Sequence, residues 1–257
     1  MANSFSIQTF DDRRNILIPG DSATTVKMAA QHILDQASEA IEARGRFTWA
    51  LSGGSTPQAI YQCIASEPNR DAIDWTQVWL FWSDERCVPP DHPDSNYRMA
   101  MDAGLNSLGI PSKQIFRMHT ETQLFAHTAD YEELLVTTCE EGCLDFIMLG
   151  MGEDGHTASL FPYTHALNAK EQLVTANYIP KLQTWRMSFT YNIIDLARNT
   201  VIYALGASKA PMIAEVFGTK YDPMRLPVQR VGTEEHHALW VLDKAAAQPL
   251  LNRATAN

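Results

Sequence analysis

Cysteine is scarce: Cys63, Cys87, Cys139 and Cys143 are the only four in 257 residues. Cys139 and Cys143 stand four apart, but no second ligand pair accompanies them, so zinc is not expected. Scattered thiols of this kind fit a reducing compartment, and a cytoplasmic location follows. Long apolar runs are missing as well. No window approaches the ~18 apolar residues of a membrane span, and residues 1–20 mix acids with arginines where a signal peptide would be apolar. Basic excess is also absent. Thirty acidic against 20 basic side chains leave a formal charge of −10, which argues against a nucleic-acid binder or a ligand of anionic membranes. Internal repeats, low-complexity tracts and linkers are not found. An anionic small molecule stays open as a partner, provided a local cluster of cations receives it.

The chain does have enough apolar content to fill a large core, 45% against 19% charged. Apolar runs at 4–10, 47–51, 78–82, 115–118, 144–149, 172–178, 184–190, 200–205 and 239–242 read as strands. Between them lie helical patterns. One is capped by Asp21 or Ser22 and runs to Arg44, with Val26, Ala30, Ile33, Ala37 and Ile41 spaced by three and four and Gly45 ending it. Others start at Pro57, at Asp94 or Ser95, near 122, and after Gly206; Asp243 can cap the last. Strands alternating with helices from end to end predict a single α/β domain over residues 1–257, with a largely parallel sheet flanked by helices.

Polar residues collect where the strands end. Residues 144–149 lead into Gly150, Gly152 and Gly155, followed at once by His156, with Asp154 two residues before it. In open α/β sheets ligands bind at the carboxyl ends of strands. A free imidazole titrates at roughly 6.5, which suits a general base at neutral pH; a histidine that merely closes a turn is an equal reading of this stretch alone. The glycines also match G-x-G-x-x-G, but Pro162 interrupts the helix that a dinucleotide site needs, and Glu171 precedes the next strand instead of ending it. Ser52-Gly53-Gly54-Ser55-Thr56-Pro57 is a strand-to-helix loop of amides and hydroxyls at the positive end of a helix, a setting that favours phosphate. It lacks a P-loop lysine. Ser83-Asp84-Glu85-Arg86 follows the 78–82 strand, and either faces the rim or forms a solvated turn. Arg186 is a lone cation in a strand. Lys209 sits in the first turn of a helix, where the dipole opposes it.

In sum these stretches resemble the glucosamine-6-phosphate isomerase/6-phosphogluconolactonase family. The resemblance rests on LSGGSTP (51–57), WSDERCVPPDHPDSNY (82–97), LGMGEDGHTASLFP (149–162), Arg186 in RMSFT, Lys209 in GASKA, and LWVLDKAA (239–246). Arg86 and Phe161 stand where the deaminases of that family have a tyrosine and a glutamate, so the lactonase branch is the closer match. The resemblance implies a modified Rossmann-like fold shared with ribose-5-phosphate isomerase and CoA transferases. It implies hydrolysis of 6-phospho-D-glucono-1,5-lactone to 6-phosphogluconate in the oxidative pentose phosphate pathway, with no metal or organic cofactor. His156, Asp154, Asp84 and Arg86 would serve catalysis. Ser52, Gly53, Gly54, Ser55, Thr56, Asn96, Gly155, Arg186 and Lys209 would bind the sugar phosphate. Ser159 offers a rival nucleophile, although no G-x-S-x-G surrounds it. A deaminase-type isomerase, a non-catalytic sugar-phosphate sensor, and a place in a dehydrogenase–lactonase assembly remain as alternatives. A monomer and a homodimer are both compatible with the sequence.

Overall fold

The computed structural model describes residues 6–140, 142–218 and 220–254. The expected strand at 4–10 falls partly outside these, at Ser4 and Phe5; within them β1 is only Gln8–Thr9. It pairs antiparallel with β2, Arg14–Leu17, a strand not expected from the sequence. Helix α1, Ser22–Arg44, follows. Asp21 caps it by accepting the Thr24 amide at 2.8 Å, and Gly45 ends it at φ 72° with its N–H on the Ile41 carbonyl. The buried face of α1 is Ala29, Ala30, Ile33, Leu34, Ala37 and Ala40; small residues there let the helix lie close to the sheet.

Next come β3 (Phe47–Leu51), α2 (Ser55–Ala65), β4 (Val78–Trp82), β5 (Asp84–Arg86), α3 (Asn96–Asp102), α4 (Leu124–Thr138), β6 (Phe146–Gly150), β7 (Val174–Ile179), β8 (Thr184–Phe189), α5 (Tyr191–Leu196), β9 (Thr200–Ala204), α6 (Ala210–Val216), β10 (Ala238–Leu242) and α7 (Gln248–Ala254). Among the described residues one sheet runs β1-β2-β10-β9-β6-β3-β4, and every pair in it except β1·β2 is parallel. Its strands β3, β9 and β10 are buried at every position. This accounts for their continuous apolar runs, since helices cover both faces of a parallel sheet.

Three expectations need correction. Residues 115–118 form no strand; Ile115 makes a single bridge to Leu80. The runs at 172–178 and 184–190 do not extend the main sheet. They form an antiparallel hairpin that pairs with β5 in a second sheet, ordered β5-β8-β7. Asp243 does not begin α7. Its carboxylate accepts the amides of Gly206 and Ala246, tying the end of β10 to the loop after β9.

One residue, Ser83, carries the chain from the first sheet to the second. Its N–H and hydroxyl both bond the Leu51 carbonyl of β3, at 2.8 and 2.9 Å, while its own carbonyl accepts the Phe189 amide of β8 at 2.8 Å. The small sheet is thereby pinned to the rim of the large one.

Candidate active site

The loops leaving β3, β4, β6 and β9 meet at the carboxyl rim and enclose a cleft of about 270 Å³. The main-sheet order reverses here: β4 lies on one side of β3, and the next main-sheet strand, β6, on the other. Ligand crevices form at such reversals.

Ser52 to Pro57 form the first wall. Ser52 is 5% exposed, its amide donating to the Tyr61 hydroxyl and its carbonyl accepting from it. Gly54 begins α2 at φ 107°, and no side chain caps the helix. The first amides of α2 are thus left for an anion. Gly53 has to be glycine because a Cβ would fall 1.9 Å from Asn96 Oδ1.

β5 builds the second wall by simple alternation. Asp84 and Arg86 point to the cleft and Glu85 to the other side. There the buried Glu85 carboxylate accepts the amides of Arg86, Asn96 and Tyr97 and the Ser95 hydroxyl. It therefore caps α3, although burial pushes its carboxyl above the ordinary carboxylate value against those bonds. Asp84 is 4% exposed and accepts the Ser159 hydroxyl at 2.6 Å and the Asn96 amide at 3.2 Å. Register places Arg186 of β8 directly opposite Arg86. Like charges facing each other across a strand pair are unfavourable. Burial, opposed by Asp84 at 3.8 Å and compounded by Arg86, pushes the Arg186 guanidinium below its ordinary value. Both Arg86 Nε and Arg186 Nε are buried with no hydrogen-bond partner. Both side chains line the cleft, so two cations stand together on this wall.

The third wall is the glycine loop after β6. Gly152 donates to the His156 carbonyl, closing a tight turn. A Cβ at Gly152 would lie 2.1 Å from His156 Cε1 and Nδ1, so the imidazole occupies the space of the missing side chain. His156 Nδ1 lies 2.5 Å from Asp154 Oδ1, and Asp154 Oδ2 accepts from Lys181 Nζ at 2.8 Å. Burial opposes ionisation of Asp154, but the hydrogen bonds from His156 and Lys181 outweigh it and hold its carboxyl well below the usual range. An ionised carboxylate only accepts, so Nδ1 carries a proton, and in the neutral ring Nε2 is the nitrogen with the lone pair. Phe161 stacks on the imidazole at 3.9 Å and 14°, and the Arg186 guanidinium sits 5.7 Å from the same phenyl ring. The loop following Gly155 contains turns and a bridge rather than a helix, which removes the structural basis for a dinucleotide site.

Lys209 closes the cleft from the loop after β9, its Nζ 2.8 Å from the Met151 carbonyl. It precedes α6 in a short 3-10 turn rather than lying inside the helix. The expected binding loop, Asp84, Arg86, His156, Arg186 and Lys209 are all brought to the cleft. Asp154, Asn96 and Gly155 stand behind it. Asn96 is 1% exposed and braces Asp84; Gly155, at φ 77°, packs on Leu226. Ser159 is wholly buried, with its hydroxyl on Asp84. Sequence reasoning missed Lys181 and the lining residues Tyr203 and Ala158. Only the strand alternation of β9 could have flagged Tyr203, and nothing local marks Lys181.

Comparison with known proteins gives a consistent result. The family model described as glucosamine-6-phosphate isomerases/6-phosphogluconolactonase matches residues 20–240. The chain is 38% identical to a 6-phosphogluconolactonase of Chlamydia pneumoniae, over 91% of this chain and 89% of that one. It is 37% identical to a 6-phosphogluconolactonase of Nostoc sp., over 93% and 99%. Among solved structures, the devB protein superposes with a TM-score of 0.83 at 29% identity, covering 91% of this chain and 98% of the other.

Proposed function

The chain belongs to the glucosamine-6-phosphate isomerase/6-phosphogluconolactonase family, and on that premise we propose that His156 activates the water that opens the lactone. The enzyme hydrolyses 6-phospho-D-glucono-1,5-lactone to 6-phosphogluconate. The observation that carries the assignment of the base is the His156–Asp154 contact of 2.5 Å, which directs the free lone pair of Nε2 away from the loop. Nε2 takes a proton from water, and the resulting hydroxide adds to the lactone carbonyl. Arg86, whose side chain lines the cleft, stabilises the tetrahedral oxyanion. The imidazolium, held by Asp154, returns the proton to the departing ring oxygen. The 52–56 loop, Arg186 and Lys209 hold the phosphate. Their role is to place the carbonyl at the base.

Ser159 takes no part as a nucleophile in this scheme, since its hydroxyl is buried and committed to Asp84. Phe161 supports the lactonase over the deaminase chemistry because it cannot transfer a proton. We take the chain to be one domain, on the strength of a continuous buried cluster that includes residues from β2 to β10. We take it to be cytoplasmic, and no described helix is long and apolar enough to cross a membrane.

The test is acid release from freshly made lactone. His156→Ala should lower kcat by about 10²–10⁴, the span of a lost general base, while the chain still folds. Wild-type turnover in that variant would remove His156 from the mechanism.

A further inference from the structure

Asp154 serves two partners. One carboxylate oxygen holds His156 Nδ1 and the other holds Lys181 Nζ at 2.8 Å. Lys181 lies at the turn between β7 and β8, where Pro180–Leu182 make a 3-10 turn closed by Gln183 at φ 51°. Its side chain is 66% exposed, so burial does not force the contact. We propose that Lys181 is a positioning residue that keeps His156 free to act as a base, by drawing on the Asp154 carboxylate and by fastening the base loop to the strand pair that carries Arg186. The proposal rests on His156 being the base.

The physical reasoning is direct. Asp154 stabilises positive charge on the imidazole, which helps proton uptake from water but also favours resting protonation. A permanent ammonium on the second oxygen takes part of that carboxylate's field, so the ring protonates less readily at rest. Lys181 itself is held protonated by Asp154, its pKa raised above the ordinary lysine value. Other charged groups line the same cleft as the ring: Asp84 and Arg86 on β5, Arg186 on β8 and Lys209 beside Met151. Glu153 lies exposed on the base loop, and Phe161 covers one ring face without charge. All of these stay in place when only residue 181 is changed, so its own share can be read by difference. Exposure makes that share modest and sensitive to salt.

The experiment compares wild type, Lys181→Met and Lys181→Arg as full chains. Two readouts are used: the pH profile of kcat/KM for the phosphorylated lactone, and the NMR titration of the His156 imidazole, assigned with His156→Asn. In Lys181→Met both the acid limb and the imidazole titration should move up by about 0.3–1 pH unit at low salt. The shift should largely vanish at about 1 M salt, and Lys181→Arg should restore the wild-type profile. A methionine variant whose imidazole titrates as in wild type at low salt overturns the proposal, as does a shift that salt and arginine leave untouched. The NMR titration needs no turnover, so it reads the Lys181 coupling even if His156→Ala shows that another group is the base.

Discussion

At the scale of the residue, the site depends on charges held where they are costly. Arg86 and Arg186 face each other at the cleft, an arrangement that the proposed phosphate dianion would relieve. A unit charge pair at about 4 Å is worth roughly 4 kcal/mol at an effective dielectric of 20, before desolvation. Losing one phosphate-binding cation should therefore cost about 1–3 kcal/mol, or roughly 5- to 150-fold in kcat/KM. Arg186→Ala and Lys209→Ala should each weaken turnover of the phosphorylated lactone and leave unphosphorylated gluconolactone little changed. Equal losses on both substrates would move these residues to the carbonyl chemistry or to the fold. Asp154 supports a second prediction, on stability. Its folded pKa is depressed, so the stability it supplies is whole above the unfolded value of about 3.9 and is lost as pH falls through the lower folded value. Asp154→Asn should be less stable than wild type near neutrality, and the two denaturant midpoints should draw together as pH falls below about 5. Midpoints that stay parallel across that range would show that the carboxylate contributes nothing by its charge.

At the scale of the element, the glycine loop holds the imidazole by leaving room for it. Gly152→Ala puts a Cβ where Cε1 and Nδ1 now lie. Because Gly152 is not at positive φ, the backbone can keep its path, so the ring must move instead. The variant should still fold yet lose about 10²-fold or more in kcat, the penalty of a misplaced base. A crystal structure of the variant with His156 unmoved would contradict this. The loops of the site were legible in the sequence because each follows a mostly apolar strand: residues 52–56 after β3, Asp84 after β4, Met151–His156 after β6, Lys209 after β9. The partners of the small sheet were not. Asp84, Glu85 and Arg86 carry no apolar signal, and they become a strand only by pairing with β8, about a hundred residues away. Arg14–Leu17 is short and half polar, and it is recruited to the main sheet by β10 at the far end of the chain. Ile115 and Phe116 look like a strand but supply one bridge and a wall of aromatic contacts to Trp79 and Phe81. Lys181 could not be singled out among exposed lysines, since its meaning lies in a carboxylate 27 positions away.

At the scale of the whole molecule, an acidic protein with an acidic proposed substrate would have to bind it through local arrangement. The −10 formal charge is offset at the cleft by Arg86, Arg186 and Lys209 together with the first amides of α2. Nothing in this arrangement calls for a metal as Lewis acid. No group of three or more His, Cys, Asp or Glu with suitable geometry occurs among the described residues, and arginines with amides can carry the oxyanion. Lactonase activity should persist in full after exhaustive chelation; activity lost to chelator and regained with zinc would refute this.

Ser83 gives chain length a meaning of its own. A single residue separates β4 from β5, and the side chains beyond it alternate strictly, Asp84 and Arg86 toward the cleft and Glu85 toward α3. The junction therefore acts as a phase setting. Adding or removing one residue there would leave the composition almost untouched while turning the acid–arginine pair away from the cleft and swinging the capping glutamate into it. Insertions at this junction are tolerable only in pairs, whereas the loop at 89–95 has no such parity to keep.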